Sequence, residues 1–314
     1  LSPVCGQAGA ATWESMIPLR AAVPLGMAGV WAYRVVRHMR FASVHATLPA
    51  AACAAMCDTQ HGMARPEHGI EDLPGTVGMH HKHVFVVTEE GAPWPSRWEE
   101  SPGLPSALNV ALKQAKESLK GRKIKLTAAT LDKQAGDAPG DVLVFPDGVR
   151  MRGVATSQAT DVVSWLADGD AQRAGLSVAP YSGSGDAGSP PAQIFVCAHG
   201  ARDKRCGVIG PGLIEFLRDE LKRSGKQGER VAVRACSHVG GHKYAGNMLV
   251  FARGEGHWYG YVDLAAASTI LREHVLGGTP VMQPRLWRGM LGCTEDEQRQ
   301  RCSAACGGCD AATA

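Results

Sequence analysis

Two short apolar runs end in loops that carry metal-ligand side chains, and this constrains where the strands of the fold finish. Gln193-Ile194-Phe195-Val196 leads into a loop holding Cys197 and Cys206, and Val231-Ala232-Val233 leads into Ser237-His238-Val239-Gly240-Gly241-His242. If both runs are strands, their loops meet at one edge of a sheet and bring Cys197, Cys206, His238 and His242 together. Two sulfurs and two nitrogens suit either a Zn²⁺ ion or an iron–sulfur cluster with mixed ligands.

The rest of the composition narrows the class without naming it. The chain has 314 residues, 45% hydrophobic and 20% charged, which allows a packed core and excludes global disorder. A net charge of +3 is too small to point to nucleic acid or a membrane surface. No stretch approaches the roughly 18 apolar residues of a membrane helix. Ten cysteines in a chain this long are no disulfide scaffold, and their uneven clusters read as metal or redox sites in a reducing compartment. Residues 1–57 hold one acid, Glu14, against Arg20, Arg34, Arg37 and Arg40. Such a segment reads either as an organellar transit peptide, mitochondrial or chloroplast, or as an alanine-biased leader of a cytosolic protein.

Glycine, serine and proline crowd residues 178–192 and mark a linker. The expected organisation is a leader (1–52), a first half (53–177), the linker, a second half (193–292) and a cysteine-bearing tail (293–314). The second half reads strand Gln193–Cys197, loop, helix Gly212–Arg223, strand Arg230–Ala235, loop, strand Asn247–Arg253, turn, strand His257–Val262 and helix Leu264–Leu276. The first half repeats that order: strand His83–Thr88, helix Ser106–Leu119, strands Lys123–Ala129, Val142–Phe145 and Val149–Val154, helix Thr160–Ala167. An α/β protein of two similar layers follows. The first half has no cysteine between Cys57 and Cys197, so it cannot copy the ligand set.

The order β-α-β-β-β-α with cysteines after the first strand resembles a thioredoxin-like ferredoxin. His199-Gly200-x-Arg202-Asp203-x-Arg205-Cys206-Gly207 and Ser237-His238-x-Gly240-Gly241-His242-Lys243-Tyr244-Ala245-Gly246-Asn247 resemble the signature of the sucrase/ferredoxin-like family. Trp287-Arg288-Gly289 and Glu295-Asp296-Glu297-Gln298 resemble its C-terminal segment, and His83 to Thr88 with Trp94-Pro95 its divergent N-terminal part. The resemblance covers about residues 53–300. It implies two thioredoxin-like layers, the second a ferredoxin domain, and a [2Fe-2S] cluster held by Cys197, Cys206, His238 and His242. Rieske-like ligation by two histidines removes negative charge, raises the potential and couples electron transfer to a proton on the imidazole.

Around these ligands, Gly240 and Gly241 permit a tight loop, and His199 is either a donor to the cluster or a loop-stabilising residue. Arg202, Lys204, Arg205 and Lys243 form either a basic rim for an acidic partner or scattered solvated charge. Cys236 reads as a buried bystander. Cys302, Cys306 and Cys309 read as a flexible tail or a further metal or redox set. Cys53 and Cys57, with His61 and His68, read as plain thiols or a second site. His80-His81-Lys82-His83 reads as an exposed strand entrance. The function expected is an electron carrier rather than an enzyme, supplied by a reductase, plausibly an NAD(P)H-dependent flavoprotein, since no nucleotide-binding glycine fingerprint is present. The alternative is a Zn-binding structural module on the same four ligands. A thiol–disulfide oxidoreductase is disfavoured because Cys197 and Cys206 lack the Cys-x-x-Cys spacing.

Overall fold

The computed structural model describes residues 70–170, 175–181 and 192–306. The expected leader, the pairs Cys53/Cys57 and His61/His68, most of the linker and Cys309 lie outside them. The first half contains β1 (Lys82–Thr88), α1 (Leu104–Gln114), β2 (Ile124–Thr130), β3 (Val142–Phe145), β4 (Val149–Met151), α2 (Ala159–Asp168) and β5 (Val178–Pro180). The second contains β6 (Ala192–Cys197), α3 (Lys204–Arg223), β7 (Val231–Cys236), β8 (Met248–Ala252), β9 (Glu255–Tyr259), α4 (Leu264–Ile270), β10 (Trp287–Met290) and α5 (Glu295–Ala305).

The ten strands of the described residues join in the order β10-β9-β8-β6-β7-β2-β1-β3-β4-β5. Within it the same four-stranded unit occurs twice. β1 runs parallel to β2 and antiparallel to β3, which is antiparallel to β4. β6 stands in the same relation to β7, β8 and β9. This is the thioredoxin-like strand order in both halves, so the α/β class and the two layers read from the sequence hold in the structure.

Among the described strands the halves pair at a single register position, Ala129 opposite Cys236. Phe85 on β1 stacks on Phe195 on β6 with ring centroids 3.8 Å apart. Three strand spacings of about 4.8 Å separate β1 from β6 along a flat sheet, so the sheet must fold over at the Ala129–Cys236 bridge. Side-chain alternation explains the layers. Val84 and Val86 pack with Leu108, Val162 and Leu166 of α1 and α2, and Ile194 and Val196 pack with Leu213, Leu217 and Ile270 of α3 and α4. The opposite residues, Phe85, Val87, Phe195 and Cys197, share an inner core with Phe145, Phe251 and Trp258. Cys197 therefore belongs to the inner core, at the fold line. Its counterpart by register in the first half is Val87.

Three departures from the sequence expectation matter. α3 begins at Lys204, eight positions before the expected Gly212, because Asp203 caps it by accepting from the Arg205 N–H at 3.0 Å. β5 lies at the start of the expected linker and pairs with β4. His80 and His83 are buried, at 8% and 0% exposure, rather than forming an exposed entrance. His83 stacks between Phe85 and Trp258, where an uncharged imidazole serves as an aromatic core residue.

Candidate metal centre

Cys197 closes β6 and Cys206 lies in the first turn of α3. The helix can approach the strand end because its glycines leave no side chain there. A Cβ on Gly210 would overlap the Cys197 carbonyl and come 2.8 Å from the Ala198 Cα, and one on Gly207 would overlap Gly200. Gly207, Gly210 and Pro211 look like helix breakers in sequence, yet the glycines are what let α3 carry Cys206 to Cys197. Both cysteines are 1% exposed.

His238 follows β7 beyond Ser237, which ties the loop to β2. Ser237 N–H donates to the Ala128 carbonyl at 3.0 Å, and its Oγ accepts from the Ala128 N–H at 2.9 Å. The candidate ligand atoms of Cys197, Cys206 and His238 lie within 4.8 Å of one another. His242 is exposed, with its ring centroid 5.6 Å from that of His238. It neighbours the trio without joining it at that separation.

Cys206 hydrogen-bonds Cys197 and, with His238 and the backbone N–H groups of His199 and Val239, holds the Cys197 thiol well below its usual range, against the opposing effect of burial. Cys206 is pushed up by the same bond to Cys197 and by burial. One thiolate thus already has donors arranged around it. His238 Nδ1 is buried and has no hydrogen-bond partner among the described residues. A thiolate-stabilising pocket beside an unsatisfied imidazole nitrogen fits a soft, nitrogen-accepting metal centre.

Each neighbouring residue singled out in sequence has a definite place. His199 is 3% exposed. Its Nδ1 accepts from the His238 N–H at 3.1 Å, so its Nε2–H donates to the carbonyls of Trp94 and Pro95 at 3.0 and 3.1 Å. It fixes the histidine loop to the first half. Arg205 pairs with its own helix cap, Asp203, at 2.9 Å. Lys243 pairs with Glu71 at 2.9 Å, whereas exposed Arg202 reaches the Ser96 carbonyl at 3.4 Å. Gly240 and Gly241 have φ of 90° and 66°, a region open to glycine at little cost. Cys236 is fully buried beside Cys197 in register and lies outside the 4.8 Å trio. Cys302 and Cys306 both donate to the Met282 carbonyl, at 3.2 and 3.3 Å.

Arg288 and Asn247, which stand within the sequence motifs but outside the expected site, hold the histidine loop. Arg288 donates to the Asn247 Oδ1 at 2.6 Å and the Gly240 carbonyl at 3.3 Å, and Asn247 Nδ2 donates to the Gly241 carbonyl at 2.9 Å. Arg288 also holds Thr76, by its hydroxyl at 3.1 Å and its carbonyl at 2.9 Å, and lies over the Tyr244 ring at 4.5 Å. Burial pushes its pKa down to about 10. No local sequence pattern marks Arg288, whose hydrogen-bond partners lie 41 or more positions away. Gln298 acts similarly at the tail, donating to the carbonyls of Val77 and Cys293 at 3.0 Å each.

The sucrase/ferredoxin-like family model matches residues 73–289. The chain belongs to this family. Among curated proteins, altered inheritance of mitochondria protein 32 of Debaryomyces hansenii is 39% identical over 99 residues, 31% of this chain and 34% of that protein. The protein of that name from Kluyveromyces lactis is 28% identical over 207 residues, 57% of this chain and 62% of that one. Actin patches distal protein 1 of Saccharomyces cerevisiae is 30% identical over 98 residues, 28% of this chain and 31% of that protein. The matched regions thus span about a third to under two thirds of these relatives' own length. Among solved structures, a thioredoxin-like [2Fe-2S] ferredoxin from Aquifex aeolicus is similar at 17% identity and a TM-score of 0.29, covering 32% of this chain and 94% of that one. Among the described residues no helix is long and apolar enough to cross a membrane.

Proposed function

We propose that this sucrase/ferredoxin-like protein is an electron carrier whose Cys197, Cys206, His238 and His242 hold a [2Fe-2S] cluster. The observation that carries the reading is the convergence of two buried sulfurs and a ring nitrogen of His238 within 4.8 Å, with a second histidine one short loop away. A cluster held there supplies one-electron chemistry at a potential above that of an all-cysteine ferredoxin.

The chain's own residues divide the work. Cys197 and Cys206 give thiolates on the core side, where the N–H groups of His199 and Val239 stabilise negative charge on sulfur. His238 and His242 give imidazoles on the solvent side, so the exposed His242 is the point of approach for a redox partner. An imidazole nitrogen not bonded to metal carries a proton, which couples electron uptake to protonation. Arg288 and Asn247 hold the carbonyls of Gly240 and Gly241 and so keep both rings in place. The electron donor is a reductase of the flavoprotein class, and the names of the relatives support a mitochondrial setting.

Electron–nuclear double resonance on the reduced protein, grown with isotopically labelled histidine, tests the ligation. Nitrogen couplings from two histidines are expected, each lost in turn in His238→Cys and His242→Cys. Absence of histidine nitrogen coupling in the unsubstituted protein contradicts the reading.

A further inference from the structure

β2 and β7 pair only at Ala129 and Cys236, so the start of β2 diverges from the histidine loop. The gap is a cleft of about 690 Å³ whose wall includes His199, His238 and Gly240. Six cations line it: Lys113, Lys116, Arg122, Lys123, Lys125 and Arg202. Glu99 is the one carboxylate among its described lining residues. Lys113, Lys116 and Lys123 are exposed, and among the described residues none of the six cations is in an ion pair. Lys125 reaches the histidine loop, its Nζ 3.9 Å from where a Cβ of Gly240 would lie. Cations concentrated in a concave, partly apolar space hold a strongly positive potential that water alone leaves unneutralised.

We propose that this cleft binds a small phosphorylated organic molecule of the nucleotide class, in contact with the His238 loop. The volume is that of a small-molecule site rather than a protein docking face. Lysine dominates the cation set, and lysine binds phosphate as a point charge, whereas planar carboxylates favour arginine forks. Leu112, Leu119, Ile124 and Leu126 supply apolar wall for the organic portion. Charge comes from side chains of α1, the α1–β2 connection, β2 and the cysteine loop, so no glycine-rich phosphate loop is required. The site goes beyond the electron-transfer reading, because binding requires no metal in the neighbouring centre.

Calorimetric titration of the full chain with ATP, with inorganic tripolyphosphate and with a poly-glutamate peptide tests the assignment. ATP binds saturably, and Lys113→Gln/Lys116→Gln/Lys123→Gln raises its Kd by about tenfold or more. These three side chains lie on the surface, so the variant keeps its fold, which circular dichroism checks. Lys133→Gln/Lys226→Gln, outside the cleft, leaves the Kd unchanged. Hydrogen-exchange protection on ATP binding falls at residues 122–126 and 237–240. No binding, or a Kd unaffected by the triple substitution, overturns the proposal. Tripolyphosphate as tight as ATP overturns the organic ligand, and poly-glutamate tighter than ATP overturns it in favour of an acidic protein partner.

Discussion

The ligand set makes opposite demands on its two residue types. A serine hydroxyl is a poor donor to iron, so Cys197→Ser or Cys206→Ser abolishes the visible absorption of the purified protein. His238→Cys or His242→Cys adds a thiolate in place of a neutral ring. Each retains a cluster whose potential falls, by on the order of 100 mV or more, measured by voltammetry. A potential unchanged by both substitutions removes the histidines from the metal. Gly241 tests the scaffold behind them. An alanine there would sit at a φ of 66° with its Cβ overlapping the Arg288 guanidinium and 2.8 Å from Tyr244. The cost is about 2 kcal/mol, read from urea unfolding, and a change below about 0.5 kcal/mol contradicts the clamp. The four candidate ligands were legible in sequence because the ligand types and loop spacings carry the chemistry directly. Arg288 was not, because its role exists only once residues 41 positions apart, Asn247 and Arg288, are folded together.

Among the elements, α3 decides whether the two cysteines meet. Gly210→Ala would press a methyl group into the Cys197 carbonyl, where backbone rather than a flexible side chain must yield. The expected cost is about 2–3 kcal/mol, with a lower iron content per chain as Cys206 is displaced. Normal stability and loading in this variant would show that the close approach is dispensable. Sequence places the start of α3 late because glycine and proline weaken helices in isolation, whereas here Gly210 packs against the end of β6 and Gly207 against Gly200. β10 and α5 went unread as elements for a related reason. Trp287-Arg288-Gly289-Met290 alternates little, and α5 is mostly polar, held by the Thr294 cap and by buried Gln298 rather than by an apolar stripe. The remaining strands and helices lay close to their expected positions because period-two and helical patterns are local properties.

For the whole molecule, we propose that each half derives from one thioredoxin-like unit, divided within 178–192. The strap of residues 71–77 nevertheless binds the second half, through Glu71 with Lys243, Thr76 with Arg288 and Val77 with Gln298, a crossing no local pattern announces. The folded-over sheet also buries histidines. Burial lowers His80 to about 4 and His274 to about 3. For His274, His257 and Arg253 act in the same direction, and the Tyr259 hydroxyl donates to its Nδ1 at 2.8 Å. The folded state keeps these rings neutral while the unfolded chain takes up protons below about 6.5. Their contribution is therefore complete above that pH and is lost as pH falls toward the folded values. Between pH 6.5 and 5 each accounts for about 2 kcal/mol. His274→Gln, less stable at neutral pH, loses about 2 kcal/mol less than the unsubstituted protein over that interval, and equal pH slopes contradict the argument. The nature of the metal centre is decided by optical absorption with metal and acid-labile sulfide analysis on anaerobically purified protein. A [2Fe-2S] cluster on the four ligands gives a coloured protein with iron and sulfide in equal amounts. A colourless, folded protein containing zinc and no sulfide would contradict it.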